Sequence, residues 1–353
     1  MTQSNTTPKK SLSYASSGVD INKADQMKDG LKESLNHNSS RVLNSIGAFS
    51  SLFDISNLPN IKHPVLCLKM EEPGSKQLLA AKHGRLSSIG DDLVNHLIND
   101  TIMNGGAPLA ILDTIVCGNL EPELVSSLIS SMSKAAKSQD CYLVGGETSE
   151  QPRVIDDGTY ILSAACVGIV DKSKIITGEN IAPGQQIFAV ASNGPHTNGY
   201  TLIRSLIDQQ PEILTKSCNG ETFLDAILMP HLCYNTPLQK IFQKTSLSGL
   251  AHITGGGVAD NTKRILSSGV NAKIDLSLIK IPEVFSMIKT AGNVTREDMF
   301  RTFNCGIGMV FVGEESDCTI ASDIFSKHGI DSYQIGEIAD GNNAIDTSNE
   351  LSF

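Results

Sequence analysis

The chain has 353 residues, of which 40% are hydrophobic and 19% charged, and its formal net charge is −10. This length exceeds one typical core, so two domains are expected. The acidity, with no basic stripe to offset it, argues against a nucleic-acid surface, and no apolar run reaches the roughly 18 residues of a membrane helix.

The first ten residues are polar, with Lys9 and Lys10 and no apolar core behind them, and read as a disordered tail over 1–10 rather than a secretory signal. Pro64–Met70 has strand length and character. Asp91–Met103 places Leu93, Val94, Leu97, Ile98 and Ile102 on one helical face. Its other side carries Asp92, His96, Asn99 and Asp100, a pattern that a solvated polar face also gives. Leu109–Val116 is a second strand. Glu121–Lys137 repeats Leu124, Leu128, Met132 and Ala135 at helical spacing, with Pro122 in the first turn. Cys141–Val144 and Tyr160–Val170 complete the strands of the first half.

A new unit begins near Ile175. Strands are expected at Gln186–Ser192, Ala272–Leu276, Met309–Val312 and Tyr333–Ile338. Helices are expected at Asn198–Asp208, Pro237–Lys244, Ala259–Leu266 and Pro282–Thr290. The alternation gives an α/β chain divided into 11–172 and 173–353. Eight cysteines stand at 67, 117, 141, 166, 218, 233, 305 and 318 with no CxxC pair, so zinc is not expected. Those at 117, 141, 166 and 305 read as small buried hydrophobes, and reduced thiols suit a cytoplasmic protein.

Four Gly-rich segments carry polar side chains. Gly194-Pro195-His196-Thr197-Asn198-Gly199-Tyr200 is a turn feeding a helix start, where free N–H groups suit a phosphate and His196 adds a donor. Thr254-Gly255-Gly256-Gly257 gives a backbone without Cβ atoms that can wrap an anion. Gly145-Gly146-Glu147-Thr148 follows a strand, where ligands of α/β sheets gather. Phe300–Met309 sets Arg301, Asn304, Gly306 and Gly308 inside an apolar run. Alone it reads as a bulged strand beside a surface Arg.

In this order and spacing, together with Leu12-Ser13-Tyr14, Gly18-Val19-Asp20, Asn99-Asp100, Leu112-Asp113, Ala251–Gly257 and Thr290–Val294, these segments resemble the phosphoribosylformylglycinamidine cyclo-ligase (aminoimidazole ribonucleotide synthetase) family from about Ser11 to Gly336. The resemblance implies two α/β domains. The N-terminal one binds ATP and pairs with that of a second subunit, so that the two sheets form a dimer barrel, while the C-terminal one binds substrate. It implies ATP-dependent ring closure of formylglycinamidine ribonucleotide in purine biosynthesis, with ATP and Mg²⁺ as cofactors. Asp100 and Glu71 are then metal ligands, and His196, Asp100 and Lys76 carry the chemistry. Lys32, Glu71, Lys76, Asn99, Asp100, Glu147 and His196 contact ATP. Gly255, Gly256, Gly257, Asn293 and Arg301 bind substrate.

The family's Asp-Gly-Val-Gly-Thr-Lys is here Glu71-Glu72-Pro73-Gly74-Ser75-Lys76, and its Gly-Gly-Phe-Gly loop is Gly47-Ala48-Phe49-Ser50. Glu71 is one methylene longer than the Asp it replaces. Glu72 adds charge, and Pro73 removes an N–H that a phosphate would use. These changes fall in the nucleotide-facing half. They make a relative that binds without turnover, or another ATP-using enzyme of the superfamily, the alternatives to an active cyclo-ligase.

Overall fold

A computed structural model describes residues 39–44 and 48–353. The matches at 12–20, Lys32 and Gly47 lie outside the described residues.

The first half runs β1 (Pro64–Glu71), α1 (Lys76–Lys82), α2 (Ser88–Ile102), β2 (Ala107–Cys117), α3 (Pro122–Ser138), β3 (Tyr142–Glu150) and β4 (Tyr160–Asp171). Its strands form one sheet in the order β1-β4-β2-β3, antiparallel except for β2 with β3. α2 and α3 cover one face, burying Leu93, Leu97, Ile98, Leu128 and Met132 against Ile111 and Ile115. On the other face, Met70, Ala165 and Leu112 share one cross-strand row. That face leaves Leu66, Leu68, Met70, Leu112 and Ile161 exposed. Val42 and Phe53 pack over one end of it.

The second half contains β5 (Gln186–Ala191), α4 (Tyr200–Gln209), a small hairpin of β6 (Ser217–Cys218) and β7 (Glu221–Thr222), α5 (Phe223–Leu228) and α6 (Asn235–Ile241). It continues with β8 (Gly249–His252), α7 (Gly257–Lys263), β9 (Val270–Asp275), α8 (Glu283–Ala291), α9 (Arg296–Thr302), β10 (Ile307–Gly313), α10 (Glu315–Lys327), β11 (Ser332–Asp340) and β12 (Ile345–Ser348). The larger sheet has the order β12-β9-β11-β5-β10-β8. Its β10, flanked by β5 and β8, is buried along its whole length, as a run of Ile, Met, Val and Phe requires.

Three differences from the sequence reading bear on the site. Gly145–Thr148 does not follow a strand but lies inside β3, which runs on to Glu150. The Phe300–Met309 run is not one bulged strand: Phe300–Thr302 ends α9, a turn follows, and only then does β10 begin, with a register shift at Gly308. The polar side of α2 is not solvated. Asp92, His96 and Asn99 are all buried, because the segment from Met229 to Asn235 lies across them.

Candidate functional site

Sheet order brings three of the four Gly-rich segments together. β5, β10 and β8 are antiparallel neighbours, with Ala191 paired to Ile307 and His252 to Met309. The loops after β5 and β8 and the turn before β10 therefore emerge at one edge. The contacts are close enough to demand glycine. A Cβ on Gly257, at φ +69°, would stand 1.9 Å from the Phe300 carbonyl oxygen, and one on Gly199 would stand 2.2 Å from the Phe303 ring. The segment after β1 joins them, since the Cβ direction of Gly74 points at the Thr197 carbonyl oxygen, 3.3 Å away.

The polar stripe of α2 holds a strap from the second half. Asn95 Nδ2 donates to the His231 carbonyl at 2.7 Å, and Asn99 Nδ2 donates to that of Leu232 at 2.8 Å. The Tyr234 amide donates to Asn99 Oδ1 at 2.9 Å, and the His231 amide donates to Asp92 Oδ1 at 2.8 Å. Lys76 completes this clamp. It is fully buried, with Nζ 2.8 Å from Asp92 Oδ1 and 2.7 Å from the Met229 carbonyl oxygen. Burial lowers the Lys76 pKa against the opposing pull of Asp92, and burial raises Asp92 to about 6. Asn99 and Lys76 were expected at a nucleotide. Here both are fully buried: Asn99 spends its amide on the strap backbone, and Lys76 spends its ammonium on the Asp92 carboxylate and the Met229 carbonyl.

Beside this clamp lies a charged cluster. Lys69 and Glu71 share a face of β1, as residues two apart in a strand must. Lys69 Nζ stands 2.7 Å from Glu71 Oε1 and 3.0 Å from Asp100 Oδ2. The other Asp100 oxygen accepts from His252 Nδ1 at 2.6 Å. Burial would raise the Asp100 pKa. The hydrogen bond and charge of His252, with His96 and Lys69, outweigh it and hold the carboxyl well below the usual range. His252 Nε2 is 3.0 Å from His231 Nε2. The two Nε2 atoms share a hydrogen bond whose donor and acceptor follow the tautomers of the two rings.

Four histidines pack here. His196 stacks on His231 with ring centres 3.8 Å apart and planes 24° apart. His96 stacks on the His231 ring at 5.2 Å, and its Nδ1 is 3.0 Å from Thr197 Oγ1. Among the described residues, neither ring nitrogen of buried His196 has a hydrogen-bond partner, nor has His231 Nδ1. Burial, reinforced by the charge of neighbouring histidines, lowers His96 to about 4 and pushes His196 and His231 well below the usual histidine value. These three rings are therefore neutral near pH 7.

Two trios here approach metal-ligand spacing: His196, His231 and His252, and His96, Asp100 and His252, each with ligand atoms within 4.8 Å of one another. The first does not suit one ion. An imidazole lone pair lies in the ring plane, and stacked rings cannot aim two such planes at one point. In the second, and in the expected Asp100–Glu71 magnesium pair, the Lys69 ammonium already sits on the carboxylates. Magnesium needs oxygens at about 2.0–2.1 Å, whereas the pair is set around an ammonium at hydrogen-bond distance. The pair as it stands does not fit a divalent ion.

The remaining expected residues divide. Gly255 is exposed, and its Cβ direction lies 3.4 Å from Asn198 Oδ1; Gly256 and Gly257 follow at the helix start, so all three line the shared edge. Arg301 is exposed at the end of α9, beside the Phe300 carbonyl that Gly257 meets. Glu147 pairs in register with Thr114, on the sheet face that carries Leu112, opposite the helix-covered face where Lys69 and Glu71 meet Asp100. Asn293 sits in a turn whose neighbours reach Leu206 and Gln210, in and just beyond the half of α4 far from the Gly-rich loops. Neither Glu147 nor Asn293 joins the cluster. The sequence gives no role to Lys69 or His231, places His96 only on the polar side of α2, and carries His252 only inside the Ala251–Gly257 match. Only the alternation of β1, which puts Lys69 on the face of Glu71, could have signalled one of them.

Residues 66–170 match the N-terminal domain and residues 182–347 the C-terminal domain of the family described as AIR synthase related protein. A phosphoribosylformylglycinamidine cyclo-ligase of Methylobacillus flagellatus is 37% identical over 331 residues, 94% of this chain and 95% of that protein. One of Chromobacterium violaceum is 38% identical over 330 residues, 93% and 95% of the two chains. Among solved structures, hydrogenase maturation protein HypE in complex with ATP superimposes with a TM-score of 0.66 at 14% identity, covering 94% of each chain. Thiamine-monophosphate kinase from Stenotrophomonas maltophilia does so with a TM-score of 0.63 at 14% identity, covering 95% of this chain and 98% of its own. At such identities these two structures show a shared fold.

Proposed function

The chain belongs to the phosphoribosylformylglycinamidine cyclo-ligase family, and on that premise we propose that the cluster around Asp100 and His252 is where it closes the imidazole ring of 5-aminoimidazole ribonucleotide at the expense of ATP. The observation that carries this reading is the convergence of both halves on one site. β1 and α2 supply Lys69, Glu71 and Asp100, while the loop after β5, the strap and β8 supply His196, His231 and His252.

The chemistry asks for two things. The amide oxygen of formylglycinamidine ribonucleotide is a poor leaving group until it attacks the γ-phosphorus of ATP and releases ADP. A neighbouring nitrogen then adds to the activated carbon, and phosphate departs with the former amide oxygen. The first step needs positive charge and N–H donors around the phosphoryl group, the second needs a proton acceptor and tight positioning. In our reading Lys69 faces the phosphates. Neutral His196 offers one N–H to the transferring group, which a charged imidazole buried among three others could not do cheaply. Asp100 orients His252 by fixing its Nδ1–H, leaving Nε2 toward His231 as the acceptor side of a proton path. Gly255 to Gly257 and Arg301 hold a substrate phosphate. Asp92 and Asn95 position His231 through its backbone, and Lys76 and Asn99 hold the strap on either side of it. Magnesium enters this account as the counter-ion of the ATP phosphates, not as a resident of the Asp100–Glu71 pair.

We assign 11–172 to the ATP-binding and dimerising domain and 173–353 to the substrate domain. The exposed apolar face around Leu68, Met70 and Leu112 is the surface suited to a homodimer. Among the described residues, no helix is long and apolar enough to cross a membrane. A cytoplasmic enzyme is consistent with that. Purified protein should release ADP only when formylglycinamidine ribonucleotide is present. Release that ignores this substrate would overturn the assignment.

A further inference from the structure

The ammonium of Lys69 sits between the two carboxylates that a divalent ion would bridge, and its exposure is informative. Its side chain is 37% exposed, against 17% for Asp100 and 23% for Glu71. Lys69 is thus the most exposed of the three side chains. An ammonium has three N–H donors. With one directed at each acid, a third remains for an incoming oxygen.

We propose that Lys69 is the resident cation of this site. It takes the place of a protein-bound divalent ion between Asp100 and Glu71 and offers its free N–H to a phosphate oxygen of the nucleotide. The identity of that phosphate rests on the function proposed above, whereas the exclusion of a metal rests on the geometry alone. Three consequences follow from one arrangement. Nucleotide-free protein takes up no divalent ion at this pair. Nucleotide binding survives chelation of magnesium better than a bridging-metal site would. Glu71, longer than aspartate, keeps its oxygen at ammonium distance rather than at metal distance.

The test is Mn²⁺ titration of the nucleotide-free full chain, read by the paramagnetic resonance of the free ion, for wild type, Lys69→Met and Lys69→Met combined with Glu71→Gln. Wild type should leave the free-ion signal unchanged at millimolar Mn²⁺. Lys69→Met should bind one ion at least about tenfold more tightly, and adding Glu71→Gln should abolish that binding. Equal Mn²⁺ affinity in wild type and Lys69→Met would overturn the proposal. If neither protein takes up Mn²⁺, ATP affinity in excess chelator decides. A loss of at least about tenfold in Lys69→Met, with Lys69→Arg close to wild type, upholds the proposal, and equal affinities in all three overturn it. Because the Mn²⁺ arm needs no turnover, a protein that fails to make the imidazole but shows this ion pattern would sink the proposed reaction and leave the role of Lys69 standing.

Discussion

His252 Nδ1 and Asp100 Oδ1 stand 2.6 Å apart, although 152 residues separate them in the chain. The bond joins a strand of the larger sheet to a helix covering the smaller one, so the site exists only when both halves are folded together. Its donor must be the Nδ1–H, which fixes the histidine tautomer.

Removing that anchor should cost turnover far more than structure. Asp100→Asn keeps the shape and loses the charge that orients His252 and faces Lys69. We expect kcat to fall by about 100- to 10,000-fold, with a lower unfolding midpoint as well, because a carboxyl held below its usual pKa by its partners stabilises the fold. Near-normal turnover in this variant would place the chemistry elsewhere.

His196 should act on developing charge. Its ring is neutral, buried and without a hydrogen-bond partner among the described residues, which is a costly state unless a ligand completes it. His196→Ala should lower kcat by about 100-fold and leave KM for both substrates within a few-fold. A rise in KM with kcat unchanged would mean that His196 only holds the ground state.

Lys76 should behave as a structural residue. Lys76→Met leaves Asp92 buried without its counter-charge and should destabilise the fold by about 3–5 kcal/mol in denaturant unfolding. Changing both residues, Lys76→Met with Asp92→Leu, should recover much of that loss. If Lys76→Met unfolds like wild type yet loses ATP binding, the lysine reaches the nucleotide after all.

The histidine stack predicts a direction for pH. His96 is lowered to about 4 in the fold, first by burial, from 6.5 in the unfolded chain. Between those values the unfolded chain binds a proton that the folded one refuses, so stability is complete above pH 6.5 and falls toward pH 4. His96 alone accounts for on the order of 3 kcal/mol. His196 and His231 act in the same sense. Asp92, raised to about 6 by burial, acts in the opposite sense and offsets part of the fall. Denaturant midpoints at pH 7 and pH 5 should differ less in His96→Gln than in wild type. Identical pH responses would mean that the buried ring is not held neutral.

Much of this was legible in the sequence. The periodicity of Leu93, Leu97 and Ile98 places α2, and the Gly-Pro-His and triple-Gly segments mark the loops that meet at the edge of the larger sheet. What was not legible depends on partners distant in the chain. The polar stripe of Asp92, Asn95 and Asn99 looks the same whether water or the 229–235 strap covers it. Lys76 sits in a motif position that suggests a ligand, and only the strap shows it sealed. Which face Glu147 occupies is decided by its register with Thr114, and a one-residue shift would have reversed it. Lys69 gains its meaning from the two acids that the sheet and helix bring to it.

The central claim is that this site activates an amide oxygen by phosphorylation and then closes a ring. The most direct measurement is to supply formylglycinamidine ribonucleotide labelled with heavy oxygen at the amide, run the reaction with ATP, and weigh the inorganic phosphate by mass spectrometry. Each phosphate released should carry one labelled oxygen, in step with ADP and 5-aminoimidazole ribonucleotide. Phosphate without label, carrying an oxygen from water instead, would contradict it.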